Sequence, residues 1–495
     1  MADRSLNEAF EAFGEWFLPE DQERKIAGHL NYTSDGTELH LNESFQVLRG
    51  IIGAGTQMQD YPVIYGITRE GEAITLLKAQ RMGVSFNFGA GGLREPERIR
   101  SSWLLVGAHV PPDFLYDNMS FRVPGLQIWL SQKSIEHSFA KELETNNYSV
   151  TYVIRNMPTE SIRLAAIDAN IKFNFDWATK CDEFTSIELN VSAWVTISPD
   201  KPQNIDWFIR EENKITTMLS FISGSTMSPD CIRTSINENH KANFLITLRE
   251  SKCCSYTNPN DFFMMKAGMG IEFENVASAW FEEYPKLHMP SQLGLSVLSS
   301  ENLWLHVKFL SYMQALEGFH RGLYEGTYME DSQYQAVRSV LCAAIPTSIE
   351  VDHKASLTSR IRYGNQISLN KRLTELSKLL SEPIRATILG SDGKIPRKWI
   401  DTRNYYTHWD EELKENVLDN QGMYDATVRM SHFLRALYLN LMGIPQESVL
   451  KSLHNTSNSS QHLIQINLRE HTPSNDRAGM IMSIQEIDNG SRDKI

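Results

Sequence analysis

Apolar and polar residues alternate with a period of two in many stretches of the first two hundred residues. The alternation is clearest in residues 148–154 and 186–198, where β-branched and aromatic side chains take about every second position. Such alternation predicts strands, and the Ser-Asp-Gly cluster at residues 34–36 predicts a turn between two of them. The pattern therefore predicts a β-rich domain of sandwich or barrel-like form.

The period changes to that of a helix near residues 202–222, and again from about residue 272 to residue 454. The first stretch predicts a helix that closes or links the sheet. Three apolar stripes predict helices in the second half. They are Leu303, Val307, Leu310, Met313, Leu316 and Leu323; Leu369, Leu373, Leu376 and Leu380; and Met430, Phe433, Leu437 and Leu441, within residues 425–442. A further helix is predicted from Pro396, which suits a first helical turn, to Trp409.

These patterns predict an α+β multidomain protein. A β-rich amino-terminal domain is expected at residues 1–270, with its helical insertion near residues 202–222. An all-α bundle of four or more helices follows at residues 271–455, and a polar carboxyl-terminal tail at residues 456–495. The length of 495 residues suits two or three domains, and 41% hydrophobic residues excludes a disordered chain.

The sequence carries no signal for export or for a membrane. Its five cysteines are too few and too scattered for a disulfide framework, and the first twenty residues lack a basic start and an apolar core. No apolar run approaches the roughly 18 residues that a membrane span needs. We therefore expect a cytoplasmic protein with no membrane partner.

Charge is distributed unevenly along the chain. The net charge of −13 argues against a surface that binds nucleic acid broadly. Residues 354–403 nevertheless hold eleven basic and four acidic residues, a local charge of +7. This basic segment is interpreted either as a surface that faces RNA or as a set of solvated helix faces.

Residues 401–409, Asp-Thr-Arg-Asn-Tyr-Tyr-Thr-His-Trp, combine residue types and spacing that suggest catalysis. On a helix, Asn404 and His408 lie on one face, whereas Arg403 and His408 are about 140° apart and separated by about 7.5 Å along the axis. One helix therefore cannot close Arg403 and His408 on a single atom. Two copies related by a twofold axis can, so we expect an isologous homodimer or a higher homo-oligomer.

This R-N-x3-H pattern resembles the R-polar-x3–5-H signature of HEPN (higher eukaryotes and prokaryotes nucleotide-binding) ribonucleases. Together with Leu-Glu-Gly-Phe-His-Arg at residues 316–321 and Phe-Gly-Glu-Trp-Phe-Leu-Pro at residues 13–19, it resembles the ApeA-like HEPN proteins of bacterial anti-phage defence. The resemblance implies an antiparallel helical bundle that acts as a ribonuclease in abortive infection. It also implies that the β-rich half is a sensor or regulator, with a phage-derived protein as its trigger.

The residue types suit RNA cleavage without a metal or cofactor. The 2′-hydroxyl attacks the adjacent phosphorus, so the enzyme needs only proton transfers and a cation for the phosphoryl oxygens. Histidine titrates near neutral pH, which makes His408 the candidate for proton transfer. Arg403 is the candidate for the phosphoryl oxygens, and Asn404 for orienting the imidazole or the phosphate. DNA, which lacks the 2′-hydroxyl, is expected to be inert.

Other residues are candidates for support. Glu317 and Arg321 are interpreted first as a surface helix pair, with a second interpretation in which Glu317 holds Arg403. The residues predicted to contact the RNA substrate, which is tRNA or another structured cellular RNA, are Lys394, Arg397, Lys398 and Tyr405. Of Tyr405 and Tyr406, one is expected to pack in the core. His320 and His432 lie within amphipathic stripes and are expected to be structural.

Three alternatives remain open. The first is a zinc site at Cys231, His240, Cys253 and Cys254, although the usual C-x2–4-C spacing is missing and ordinary buried thiols are favoured. The second is a non-catalytic HEPN-type module for dimerisation and for binding nucleotide or RNA, with a ligand-sensing β-domain. The third is a carbohydrate- or ligand-binding protein whose β-rich domain holds the functional pocket.

Overall fold

The computed structural model describes residues 3–45, 59–84, 87–89, 92–94, 96–141, 148–155, 157, 159–182, 185–237, 240–247, 256–300, 302–455 and 457–471. The chain divides into two compact units. The first extends to Leu219 and includes Thr226–Asn258, and the second takes Ser220–Ser225 and continues from Pro259. Among the described helices, none combines the length and apolar character that crossing a membrane requires.

The first unit is β-rich, as predicted. Its described strands are β1 Phe10–Leu18, β2 Asp21–Thr33, β3 Gly36–Leu41, β4 Asp60–Thr68, β5 Ala73–Val84, β6 Asn87–Gly89, β7 Gly92–Arg94, β8 Glu97–Val106, β9 Met119–Arg122, β10 Ile135–Lys141, β11 Tyr148–Ile154, β12 Glu160–Leu164, β13 Ala169–Asp182, β14 Ser186–Pro199, β15 Cys231–Asn237 and β16 His240–Ile246. The strands predicted at residues 148–154 and 186–198 correspond to β11 and β14. A short helix, α1 (Leu126–Trp129), precedes β10, and α2 (Ile205–Ser223) follows β14 as the predicted helix.

Six strands close into a barrel. They pair in the order β8-β3-β2-β1-β4-β5, and β5 pairs again with β8. From β8 the sheet continues outside the barrel through β16, β15, β9, β14 and β13 to β12. One close approach inside the barrel requires glycine: Gly66 lies opposite Trp16, and a Cβ on Gly66 would come within 2.3 Å of the indole ring. Trp16 therefore fills space that no side chain at position 66 could share.

A carboxylate is buried within the barrel. Glu97, which is completely buried, accepts hydrogen bonds from Tyr61 at 2.7 Å, from Arg81 at 2.5 Å, and from the Ser44 hydroxyl at 3.1 Å and the Phe45 backbone N–H at 3.0 Å. Arg81 is also almost completely buried. Because burial removes both charges from water, each charge depends on the other to offset its lost hydration.

The second unit is helical, as predicted. Its described helices are α3 Phe273–Ser299, α4 Leu305–Leu323, α5 Asp331–Ala343, α6 Val351–Arg362, α7 Leu369–Ser377, α8 Glu382–Leu389, α9 Arg397–His408, α10 Asn420–Leu441, α11 Gln446–Leu453 and α12 Asn458–His471. Helices α3, α4 and α10 pack together around Tyr438. The ring of Tyr438 contacts Phe221 at a centroid distance of 4.2 Å, Phe319 at 4.9 Å and Trp280 at 5.7 Å. This aromatic cluster forms the centre of the core.

The helices predicted from the three stripes are α4, α7 and α10, with differences in detail. In α4, Met313 and Leu316 are buried as predicted, but the rest of that stripe is half-exposed and Phe319 is buried instead. Helix α10 begins five residues earlier than predicted. Its start is fixed by Asp419, whose carboxylate accepts a hydrogen bond from the Gly422 backbone N–H at 2.7 Å, a cap that the apolar period does not mark.

The prediction of a polar tail after residue 455 is wrong for residues 458–471. This segment forms α12, and its Leu463 and Ile466 are almost completely buried. The Asn467 amide donates a hydrogen bond to the Thr387 carbonyl oxygen at 2.9 Å. Two well-placed apolar residues thus order a segment whose composition is mostly polar.

Two buried histidines lie in the helical unit, as predicted. His432 accepts a hydrogen bond from Arg435 at 3.2 Å, and both side chains are buried. Burial, and then the charge of Arg435, lower the pKa of His432 well below its ordinary value, and burial lowers the pKa of Arg435 to about 10. The folded protein therefore keeps His432 neutral.

His432 is expected to make the helical unit sensitive to acid. Below about pH 6.5 the unfolded chain binds a proton that the folded chain does not, so the free energy of unfolding falls by up to about 1.4 kcal/mol per pH unit. The loss continues until the pH reaches the lowered pKa. We expect His432→Gln to have a flatter dependence than the wild type between pH 7.5 and pH 5.5, measured by urea unfolding. If the free energy of unfolding had the same pH dependence in both proteins, His432 would not be the source of the acid sensitivity. Carboxylates and the other histidines contribute equally to both proteins.

Candidate active site

Helix α9 carries the Arg-Asn-x3-His motif and agrees with the predicted helix to within one residue at each end. Pro396 stands at its amino-terminal cap. At its carboxyl end Trp409 adopts a left-handed conformation with φ of 54°, and its N–H bonds to the Tyr405 carbonyl oxygen at 2.7 Å. Trp399 and Ile400 are buried, so the first turn anchors the helix to the bundle.

Thr402, directly before the motif, joins α9 to the acidic segment that follows it. The hydroxyl oxygen of this fully buried residue accepts a hydrogen bond from the Leu418 backbone N–H at 2.9 Å. Between them, Glu411–Asn416 forms a largely exposed 3-10 helix. These contacts fix the rotation of α9 and so determine which of its residues face outward.

Arg403 is held by two neighbours. Its Nη1 donates to the Asn404 side-chain oxygen at 3.2 Å, and its Nη2 lies 3.6 Å from Glu317 Oε2. Glu317 also forms an ion pair with Arg321 at 2.9 Å, so both sequence interpretations of Glu317 describe real contacts. Two arginines share one carboxylate, and Arg403 remains partly exposed.

His408 lies in the last turn of α9 and is exposed. In the described part of the chain its side chain forms no hydrogen bond or ion pair, and none joins it to Arg403. Asn404 lies one turn before it on the same helix face. A single chain therefore presents Arg403 and His408 without bringing them together, in agreement with the helix geometry expected from their spacing.

Aromatic rings surround the exposed end of α9. Tyr406 stacks on His306 of α4, with a centroid distance of 5.9 Å and an angle of 11° between the rings. Tyr405 contacts Tyr406 and Trp409 at 5.4 and 6.0 Å. Both tyrosines are half-buried, so the expectation that one packs in the core is wrong. The sequence did not indicate that His306 lies beside the motif, because no local pattern links it to α9, one hundred residues later.

The predicted RNA-contacting cations lie on the surface. Lys394, Arg397 and Lys398 are exposed, and Arg397 forms an ion pair with Asp401 at 3.0 Å. Arg372 differs from the rest of the basic segment because it is completely buried. The interpretation that the whole segment forms one basic surface is therefore too broad.

Arg372 belongs to a buried polar group beside the site. It donates to His320 Nδ1 at 3.0 Å, and His320 Nε2 lies 2.9 Å from a Glu375 carboxylate oxygen. Burial lowers the pKa of His320, and the hydrogen bonds suit the neutral tautomer with its proton on Nε2. His320 is thus structural, as predicted, and it supports the turn of α4 that carries Glu317 and Arg321.

The proposed zinc ligands are described only in part. Cys231 is completely buried, and burial raises the pKa of its thiol to about 12, which opposes formation of the thiolate that zinc binds. His240 is exposed at the start of β16. Cys253 and Cys254 lie outside the described residues. Within those residues no group of three or more histidine, cysteine or acidic side chains is arranged to hold a metal.

Comparison with protein families identifies both units. The model described as Apea-like HEPN matches residues 310–448, which makes the helical unit a HEPN domain. The model described as ApeA N-terminal domain 1 matches residues 11–280, more than half of the chain. The chain therefore belongs to the ApeA-like HEPN family, which confirms the resemblance seen in the sequence. Searches among curated proteins and among solved structures gave no match.

HEPN domains are generally ribonucleases. Membership of the family makes this chain a HEPN-type protein of anti-phage defence. The motif lies inside the matched HEPN segment, on α9, and Glu317 lies inside it on α4.

Proposed function

We propose that this chain is a cytoplasmic endoribonuclease that cleaves RNA during phage infection without a metal, at a site formed by two copies. The observation that carries the proposal is the presentation of Arg403, Asn404 and His408 along the outward side of α9, with Glu317 holding the arginine. The carboxylate comes from another helix and can hold the arginine in one orientation, which a catalytic cation requires.

Each residue has a role that its chemistry supports. His408 removes the proton from the 2′-hydroxyl or protonates the leaving 5′-oxygen, since imidazole can do either near neutral pH. Arg403 stabilises the negative charge on the phosphoryl oxygens, and Asn404 orients the scissile group. The products are a 2′,3′-cyclic phosphate and a 5′-hydroxyl.

The β-rich unit, residues 1–270, is proposed as the sensor. The helical unit, residues 271–455 together with α12, is proposed as the effector. A cavity of about 1070 Å³ in this unit supports binding of a ligand or of a trigger segment. Its polar wall includes two ion pairs, Arg122 with Asp230 at 2.9 Å and Arg233 with Asp176, and Arg233 lies 3.6 Å from the ring centre of Trp194.

A profile of total RNA with labelled 5′-hydroxyl ends tests the proposal. Bacteria would express the wild type, His408→Ala or the surface control His288→Ala, with and without phage challenge. We expect discrete fragments in the wild type and in His288→Ala, and none in His408→Ala. Identical profiles from all three soluble proteins under several phages would support the non-catalytic module instead.

Glu317 is expected to affect turnover more than substrate binding. Glu317→Gln keeps the side-chain volume but removes the charge that orients Arg403, so kcat should fall about tenfold with little change in KM. Cleavage of a defined RNA by the purified protein measures both constants. Glu325→Gln, at an exposed acid two residues after α4, is the matched control. Equal constants for wild type and Glu317→Gln would remove Glu317 from the site.

A further inference from the structure

Helices α5 and α6 form an arm that buries very little of itself. We call residues 331–362 the α5–α6 arm. Tyr334 is the one buried residue of α5, and α6 has none. Large apolar side chains are exposed instead: Val340 is 69% exposed and Val351 83%. Apolar surface of this kind marks a surface that binds a partner.

The apolar face of α5 has helical spacing. Val337, Val340 and Leu341 are all exposed and lie on one side of the helix. The two helices are joined through Tyr334, whose hydroxyl donates to the Ile361 carbonyl oxygen. This hydrogen bond joins the two helices, and the three apolar side chains beside it on α5 nevertheless stay exposed.

The charges of the arm indicate which partner fits. Glu350 and Asp352 lie at the start of α6, and Arg360 and Arg362 at its end, with Lys354 in the acidic half. All four of the terminal charges are exposed, and among the described residues none of them forms an ion pair. The helix thus has an acidic end and a basic end, about 15 Å apart.

We propose that the α5–α6 arm binds the same arm of a second copy, with the two α6 helices antiparallel about a twofold axis. This arrangement places the acidic end of each helix opposite the basic end of the other, and it covers the apolar side chains of both arms. A parallel arrangement would place like charges together. The surface is therefore complementary to itself in the antiparallel orientation alone.

The position of the arm links this interface to the site. Gln366, in the turn that follows α6, accepts a hydrogen bond from Arg321 at 3.1 Å, and Arg321 shares Glu317 with Arg403. The inference rests on the proposed function, because the site is incomplete in one chain. Pairing of the two arms brings in the second copy of the chain that the site lacks.

Charge reversal tests the interface. The first variant is Glu350→Lys with Asp352→Lys, the second is Arg360→Glu with Arg362→Glu, and the third combines all four changes. We expect each double variant to raise the dimer Kd at least about tenfold, measured by sedimentation of the full chain. The fourfold variant restores opposite charges across the twofold axis, so its Kd should return to within about threefold of the wild type.

Further measurements separate this inference from the ribonuclease proposal. Urea unfolding of each variant checks that the arm remains folded, and Val340→Asp, at an exposed position, should also weaken the dimer. A dimer unaffected by every change, or a fourfold variant no tighter than the doubles, would overturn the inference. RNA cleavage that depends on His408 would still stand in that case, whereas a dimer that responds as expected but never cleaves RNA would overturn the ribonuclease alone.

Discussion

Chains with Arg403→Ala and chains with His408→Ala are each expected to lose RNA cleavage by about two to four orders of magnitude. When the two are mixed, part of the activity should return. The reason is that Arg403 and His408 of one chain are not joined, so each is expected to act with its counterpart on the second copy. A heterodimer of the two variants keeps one intact combination.

The expected recovery follows from random mixing. Half of the dimers contain one chain of each kind, and each of these has one intact site of two, so about a quarter of the wild-type rate should return. Cleavage of a labelled RNA by co-refolded or co-expressed chains measures it. The matched control mixes His408→Ala with a chain carrying both changes, which leaves no intact combination. No gain over that control would show that both residues act within one chain.

Sequence periodicity was enough to predict a helix or strand wherever the buried residues follow the spacing of that element. Helix α9 was predicted to within one residue because Pro396 suits a first helical turn and marks its start. Strands β11 and β14 were predicted because their alternation matches the strand period. The family motif was visible for the same reason, since all of its members lie on one helix.

Contacts between distant residues could not be predicted in this way. Closure of the barrel depends on the pairing of β5 with β8, and no local signal marks it. Glu317 and Arg403 are 86 residues apart, so periodicity does not link them, and the interpretation in which Glu317 holds Arg403 came only from the resemblance of residues 316–321 to the family. The burial of Arg372 was missed because its guanidinium donates to His320 and to a backbone carbonyl oxygen rather than to a nearby acid.

Loss of the Glu97 carboxylate is expected to destabilise the barrel strongly. Glu97→Ala removes the acceptor of a tyrosine hydroxyl and of a backbone N–H, and it leaves the buried guanidinium of Arg81 with only neutral hydroxyl oxygens as acceptors. Removing one partner of a buried ion pair costs about 3–5 kcal/mol, because the remaining charge stays buried. Urea unfolding followed by tryptophan fluorescence measures the loss, with the exposed Glu23→Ala on β2 as control.

A second variant separates the cost of an unpaired charge from the cost of lost packing. Arg81→Met combined with Glu97→Leu removes both charges and keeps the space filled, so it should be less destabilised than Glu97→Ala by at least about 2 kcal/mol. The hydroxyl of Tyr61 can then no longer donate to Glu97, which accounts for the part of the loss that remains. If the double variant were as unstable as Glu97→Ala, the barrel would depend on these hydrogen bonds for its geometry. The ion pair would then act as the element that holds β4, β5 and β8 in register.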